Sequence, residues 1–201
     1  MSESFEQLFF NQLKDIVDSI NLDEINETVK QIKEIKEKNG RIFFAGSGGG
    51  AGHSSHAACD FRKLLDIECY SITDNVSELT ARINDDGWET SYSNFLAVSK
   101  FNENDCVFIF SVGGGSEDPP ISSQLINVAK YAKSRGGKVL SIVGRDGGEV
   151  KNLSMPGILI PNLDPKYVTA HTEGLQAYLW HMIVSHPNLN PNTPKWEGTS
   201  P

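Results

Sequence analysis

Apolar residues recur with two different periods along this chain, and the switch falls near residue 40. Over residues 3–20 and 23–38 the period is helical. Leu13, Ile16, Val17 and Ile20 form one stripe, and Ile25, Val29, Ile32 and Ile35 form another among Lys and Glu. Each stripe predicts an amphipathic helix that needs a surface to bury against. Asn39-Gly40 predicts the end of the second. Beyond it, short β-rich runs at 41–45, 67–72, 105–112, 138–144 and 157–161 alternate with helical candidates near 52–65, 77–83, 88–100, 121–135 and 147–152. A last helix is predicted near 169–185, with Leu175, Tyr178, Leu179 and Ile183 as its buried side. Nearly continuous apolar strands that alternate with helices predict an α/β fold, a parallel sheet of five strands covered on both faces. The expected division is N-terminal helices over 1–40, packing in an oligomer, an α/β domain over 41–186 and an irregular tail over 187–201, rich in Pro and polar residues.

Composition narrows the function. The 201 residues fit one domain, and 38% hydrophobic with 22% charged residues is an ordinary soluble balance. The net charge of −8 argues against nonspecific binding to nucleic acid or an anionic membrane, so neither is expected as a partner. It leaves room for a small anionic ligand, because a few oriented N–H groups hold one phosphate. Cys59, Cys69 and Cys106 lie far apart with no CxxC, which suits reduced thiols. MSESFEQL shows no signal-peptide pattern, and no apolar run approaches membrane-spanning length, so a cytoplasmic protein is expected.

Two glycine loops carry the candidate chemistry. The run ending at Ala45 enters Gly46-Ser47-Gly48-Gly49-Gly50, and the run ending near Phe110 enters Ser111-Val112-Gly113-Gly114-Gly115-Ser116. Each loop follows a predicted strand and precedes a predicted helix. In open parallel sheets ligands sit at the carboxyl ends of strands. Glycines let backbone N–H groups approach an anion, and the following helix adds its dipole. The pair predicts a phosphorylated ligand, with Ser47, Ser111 and Ser116 as added donors. Gly46-x-Gly48-x-x-Ala51 also fits a dinucleotide fingerprint. Against that reading, Asp66 and Glu68 flank the start of the next strand, whereas a ribose-binding acid belongs at its end.

His56 and Asp60 are four apart on one predicted helix and share a face. The last helix holds His171, Glu173, Gln176 and His181. These residue types suit zinc or a similar divalent ion, and equally proton transfer. Glu173 and His181 are eight apart, a rise of about 12 Å on a continuous helix. Both can serve one site only if the helix starts irregularly or if different subunits contribute them. His53 reads as a ligand contact or a cap, and His186 as a complement to the helix dipole.

The order of these pieces, with the segment Leu79-Thr80-Ala81 to Asn84-Asp85-Asp86-Gly87 and the run Gly144-Arg145-Asp146-Gly147-Gly148, resembles a sugar isomerase (SIS) domain. Within that group it resembles the sedoheptulose-7-phosphate (phosphoheptose) isomerases. The resemblance covers roughly residues 20–186. It implies a flavodoxin-like three-layer sandwich, a homotetramer with sites at subunit interfaces, and conversion of sedoheptulose 7-phosphate to a heptose 7-phosphate for surface polysaccharides. It places His56, Asp60, Glu173 and His181 on zinc and acid/base positions, with Asp60 and His181 expected to transfer the proton. It places Ser47, Gly48, Gly49, Gly50, Ser111, Gly113, Gly114 and Ser116 in the phosphate cradle, and Asn84 and Asp85 on the sugar. Whether Asp60 is base or ligand stays open. The chain departs from the family at Gly50 and Gly113, where serines are usual, and at Ala170, usually Asp. Asp60 replaces Glu, Glu173 replaces Gln, and Glu117-Asp118-Pro119-Pro120 belongs to an insertion. Another sugar-phosphate isomerase or epimerase, or a non-catalytic phosphosugar-binding module, are the alternatives.

Overall fold

The computed structural model describes residues 3–191. Helices α1 (Phe5–Asp18) and α2 (Leu22–Glu37) precede β1 (Ile42–Gly46) and α3 (Gly49–Leu65). Then follow β2 (Cys69–Ser71), α4 (Val76–Asp86), a 3-10 turn (Trp88–Thr90), α5 (Ser91–Val98) and β3 (Cys106–Ser111). The chain continues through α6 (Ser123–Ser134), β4 (Lys138–Val143), α7 (Gly148–Leu153), β5 (Gly157–Leu159) and α8 (Val168–Val184). The five strands are parallel in the order β2-β1-β3-β4-β5. This is the flavodoxin-like order, whose topological switch point lies between β1 and β3.

Strand periodicity sorts the side chains into two layers. Ile42, Phe44, Phe108, Phe110, Leu140 and Ile142 face a core shared with α2, α3 and α8. Phe43, Ala45, Val107, Ile109, Val139 and Val143 face a second core shared with α5, α6 and α7. Both faces are covered, so the strands read as unbroken apolar runs.

The α2 stripe buries as its period requires, in the core of its own chain: Ile25, Val29, Ile32 and Ile35 are all buried there. Glu24 ties α2 to the sheet edge, accepting from the Leu159 N–H at 3.0 Å and the Lys151 ammonium at 2.8 Å. The α1 stripe behaves differently. Only Ile16 is fully buried on it, and Val17 is 45% exposed. Its anchor is aromatic: Phe9 lies 4.2 Å from the His171 ring of α8, and Tyr167 lies 5.7 Å from Phe9. Burial holds the His171 pKa below the ordinary histidine value. On α8 the core side is set by Leu175, Leu179 and Ile183 together with Gln176, Trp180 and Val184. Tyr178, expected in that stripe, is 67% exposed because it projects from the opposite side of the helix. Of the expected irregular tail, 187–191 has no helix or strand, though Leu189 packs into the core. Residues 192–201 lie outside the described residues.

Asp105 joins the starts of β1 and β3. Its carboxylate, 1% exposed, accepts from the Arg41 backbone N–H at 3.0 Å, from its guanidinium at 2.6 and 3.1 Å, and from Asn102 at 3.0 and 3.1 Å. The carboxylate holds the Arg41 pKa above its usual value. Removing one partner of a buried ion pair leaves the other uncompensated. Arg41 still reaches solvent, so Asp105→Ala is expected to lower the unfolding free energy by about 2 kcal/mol. Urea denaturation reads this directly, and an unshifted midpoint would contradict it.

Candidate active site

The loops after β1 and β3 meet above the switch point and wall a cleft of about 910 Å³. Ser47 and Gly50 come from the first loop, and Ser111, Val112, Gly113, Gly115 and Ser116 from the second. Arg145, Asp146, Gly148 and Glu149 form the third side, and Glu173 and Gln176 on α8 form the fourth. The helix after β1 begins at Gly49, inside the glycine loop, earlier than the expected 52. Its first turn is therefore glycine-rich, and it closes the loop onto the helix: the Gly50 N–H donates to the Ser47 carbonyl at 3.0 Å and the Ala51 N–H to the Gly48 carbonyl at 3.1 Å.

Local packing explains one departure from the family pattern. A Cβ at Gly50 would stand 2.6 Å from the Phe110 carbonyl oxygen, so no side chain fits there without a shift of β3. At Gly113 a Cβ would make ordinary contact with the Arg145 side chain, whose Cδ and Nη1 lie 3.5 Å from that position, so packing does not account for the glycine there. The serine hydroxyls also tie the loops together. Ser111 Oγ accepts from the Gly114 N–H at 3.0 Å, Ser116 Oγ donates to the Asp118 carbonyl at 3.0 Å, and Ser47 Oγ accepts from the Gln124 amide. Tyr92 donates to the Gly46 carbonyl at 2.7 Å beneath the first loop. Burial pushes its phenol up to about 12, so it remains a donor at physiological pH.

The second cluster lies between α3 and α8. His56 Nε2 is 3.5 Å and His181 Nε2 is 3.4 Å from the same Asp60 oxygen, Oδ2. The Trp180 indole N–H donates to that oxygen at 3.1 Å. Asp60 is buried, whereas the His56 side chain is 57% and the His181 side chain 38% exposed. His181 Nδ1 lies 2.7 Å from the Ala177 carbonyl, an acceptor, so Nδ1 carries a proton and Nε2 is the nitrogen that faces Asp60. One ligand atom from each of the three residues lies within 4.8 Å of the others. Two imidazoles and a carboxylate at this spacing, one imidazole held in its tautomer by a backbone carbonyl, fit zinc or a similar divalent cation.

The structure does not bring Glu173 to this cluster. Helix α8 is continuous from Val168 to Val184, so the eight-residue separation keeps Glu173 about 12 Å along the axis from His181. Glu173 sits instead over the first loop, its carboxylate oxygens 2.5 Å from where a Gly49 Cβ would stand. Gly48 and Gly49 are exposed and Gly114 is buried, and none of the three lines the cleft. Asn84 and Asp85 stand on α4, exposed and hydrogen-bonded to each other at 2.6 Å, and neither lines the cleft. His53 Nδ1 is 3.0 Å from Gln176 Oε1 and its ring lies 5.0 Å from Trp180, which makes it part of the α3–α8 contact. Trp180 joins the candidate cluster through Asp60, which periodicity hides because the residue is also 1% exposed core. Its position next to His181 was the one available signal.

No family model matches the chain. Solved structures share the fold: the phosphoheptose isomerase GmhA from Neisseria gonorrhoeae superposes with a TM-score of 0.75 over 87% of this chain and 91% of that one, at 22% identity. Among curated relatives, a phosphoheptose isomerase of Helicobacter pylori (strain Shi470) is 30% identical over 142 residues, 68% of this chain and 70% of the relative. The lincomycin biosynthesis protein LmbN of Streptomyces lincolnensis is 32% identical over 154 residues, 73% of this chain, which spans just over half of LmbN (56%). The chain belongs to the phosphoheptose isomerase family.

Proposed function

We propose that this protein is an aldose–ketose isomerase of phosphorylated sugars, converting sedoheptulose 7-phosphate to a heptose 7-phosphate through an enediol. One observation carries the reading. A single helix, α8, presents Glu173 and Gln176 to a glycine-walled cleft and His181 to a buried carboxylate farther along. A cleft for the phosphate handle and a proton-transfer centre, joined by one rigid element, are what an isomerase of a phosphorylated chain needs.

The chemistry then divides by place. The cleft holds the phosphate through backbone N–H groups of the two loops, with the positive end of the α3 dipole behind the first. Asp60 and His181 move the proton between the carbons flanking the carbonyl. Asp60 Oδ2 is held by Trp180 and flanked by two imidazoles, so the carboxylate is fixed in position before substrate arrives. His56, Asp60 and His181 would hold the cation, which when bound supplies Lewis-acid stabilisation of a developing oxyanion. Coordination makes a carboxylate a poorer base, so pH–rate profiles taken with and without metal separate the two roles of Asp60.

The reading extends to a homotetramer, in which a neighbouring copy completes the site. It is supported by Asn84 and Asp85, which are exposed away from their own cleft, and by Phe5 and Phe10, 57% and 62% exposed on α1. Glu173 is then a ligand or substrate contact for a neighbouring copy's centre. Light scattering tests the assembly, and a monodisperse monomer contradicts it. No helix among the described residues is long and apolar enough to cross a membrane, and the separated thiols support a cytoplasmic location.

The test is turnover across a panel of phosphosugars, with metal content measured on the same sample. The expected result is conversion of sedoheptulose 7-phosphate, none of unphosphorylated sedoheptulose, and loss of both metal and activity after chelation. Turnover of a different phosphosugar alone would move the substrate. Tight phosphosugar binding with no turnover in a metal-replete sample would make the protein a binding module.

A further inference from the structure

We propose that Arg145 is the cation that reads the anionic group of the ligand in the cleft; the inference rests on the reading of that cleft as a phosphosugar site. Among the described side chains lining it, Arg145 is the only cation, set against the carboxylates of Asp146, Glu149 and Glu173. A dianion entering such a cleft meets net repulsion unless a positive group offsets it. The glycine loops supply dipoles but no charge.

Geometry fixes where that charge stands. Arg145 has φ 54°, the left-handed conformation that bulky residues adopt only when the surroundings impose it. The surroundings here are two interlocked loops. The Gly144 N–H donates to the Val112 carbonyl at 3.1 Å, the Val150 N–H to the Gly114 carbonyl at 2.9 Å, and the Gly147 N–H to the Gly144 carbonyl at 2.9 Å. The Arg145 loop is thus tied to the backbone of the second glycine loop. Its side chain runs over Gly113, with Nη1 3.5 Å and Cζ 3.8 Å from the position of a Cβ there.

Among the described residues Arg145 makes no hydrogen bond, ion pair or ring contact. An exposed guanidinium, fixed at its backbone and unpaired at its head, beside a glycine loop, offers a planar fork to a phosphate. Lysine in the same place offers charge without the fork.

Calorimetric titration with inorganic phosphate, together with steady-state kinetics on the phosphosugar turned over by the wild type, tests the assignment. Arg145→Asn is the first variant, because asparagine tolerates the left-handed backbone and carries no charge. Its phosphate Kd and its KM are expected to rise about 10–100-fold with kcat nearly unchanged and the melting temperature kept. Arg145→Lys is expected to fall between the two. Phosphate binding as tight in Arg145→Asn as in wild type overturns the inference alone, and so does a fall in kcat at constant KM. A wild-type protein that binds no phosphate and turns over no phosphosugar overturns the cleft reading and the inference together.

Discussion

Asp60→Asn is expected to lower kcat/KM by about a thousandfold while leaving the fold intact. The substitution keeps the volume and keeps an oxygen to accept from the Trp180 indole, 3.1 Å away in the wild type. What it removes is the negative charge that His56 and His181 face at 3.5 and 3.4 Å. An amide is neither a general base at this position nor a good ligand, so both readings of Asp60 lead to the same loss of rate. They differ in metal content. If Asp60 is a ligand, zinc affinity falls about 100-fold or more along with activity. If it serves only as base, metal survives and the rate falls alone. Kinetics on the phosphosugar substrate, paired with zinc titration and a melting curve, read all three. Wild-type activity in Asp60→Asn would remove the centre from the account.

Gly114→Ala is expected to be the most damaging single substitution outside that centre. Gly114 has φ 68°, a region that penalises any Cβ, and the added methyl would overlap the Gly147 carbonyl oxygen. The obstruction is backbone on both sides, because the Val150 N–H donates to the Gly114 carbonyl at 2.9 Å and holds the two loops together. Relief requires the loops to separate, which also moves Arg145 and Ser111. The cost is about 4 kcal/mol, which for a chain of 201 residues lowers Tm by about 8–16 °C. Differential scanning calorimetry and phosphate titration check this together. Unchanged Tm and unchanged phosphate binding would mean that the loops do not interlock as described.

Much of the architecture was legible because the sheet is covered on both faces. Runs such as Ile42-Phe43-Phe44-Ala45 and Val107-Phe108-Ile109-Phe110 have no other reading in a chain of this length, and every one of those side chains is buried. The five strands and eight helices stand where periodicity puts them, within a few residues. The first loop shifts most, because α3 starts on glycines, which propensity reads as loop. Val17 and Tyr178 depart from the expected stripes for a common reason: a helical stripe marks a face, and tertiary packing decides how wide that face is.

The site was legible in halves. The i, i+4 spacing of His56 and Asp60 is visible in the sequence, and only the resemblance tied them to His181. The 12 Å argument about Glu173 follows from helix rise alone, and the unbroken α8 bears out the separation within one chain. The roles of Trp180 and Arg145 could not be read. Trp180 serves the core and Asp60 at once, and an apolar pattern reports only the first. Arg145 matters through its approach to Gly113, more than 30 residues away, and no local pattern records a contact between two loops. The same holds for Gly50, where the reason for glycine is the Phe110 carbonyl on the neighbouring strand.

Proton exchange with solvent tests the central claim most directly. An enediol pathway passes the substrate proton through a protein base, and a base open to water exchanges it. The protein, loaded with zinc and incubated with sedoheptulose 7-phosphate in deuterated water, is followed by NMR. The account predicts deuterium at the carbon beside the carbonyl as the heptose 7-phosphate forms, with both signals abolished in Asp60→Asn. No deuterium and no product from the metal-replete wild type, or exchange that persists undiminished in Asp60→Asn, would contradict it.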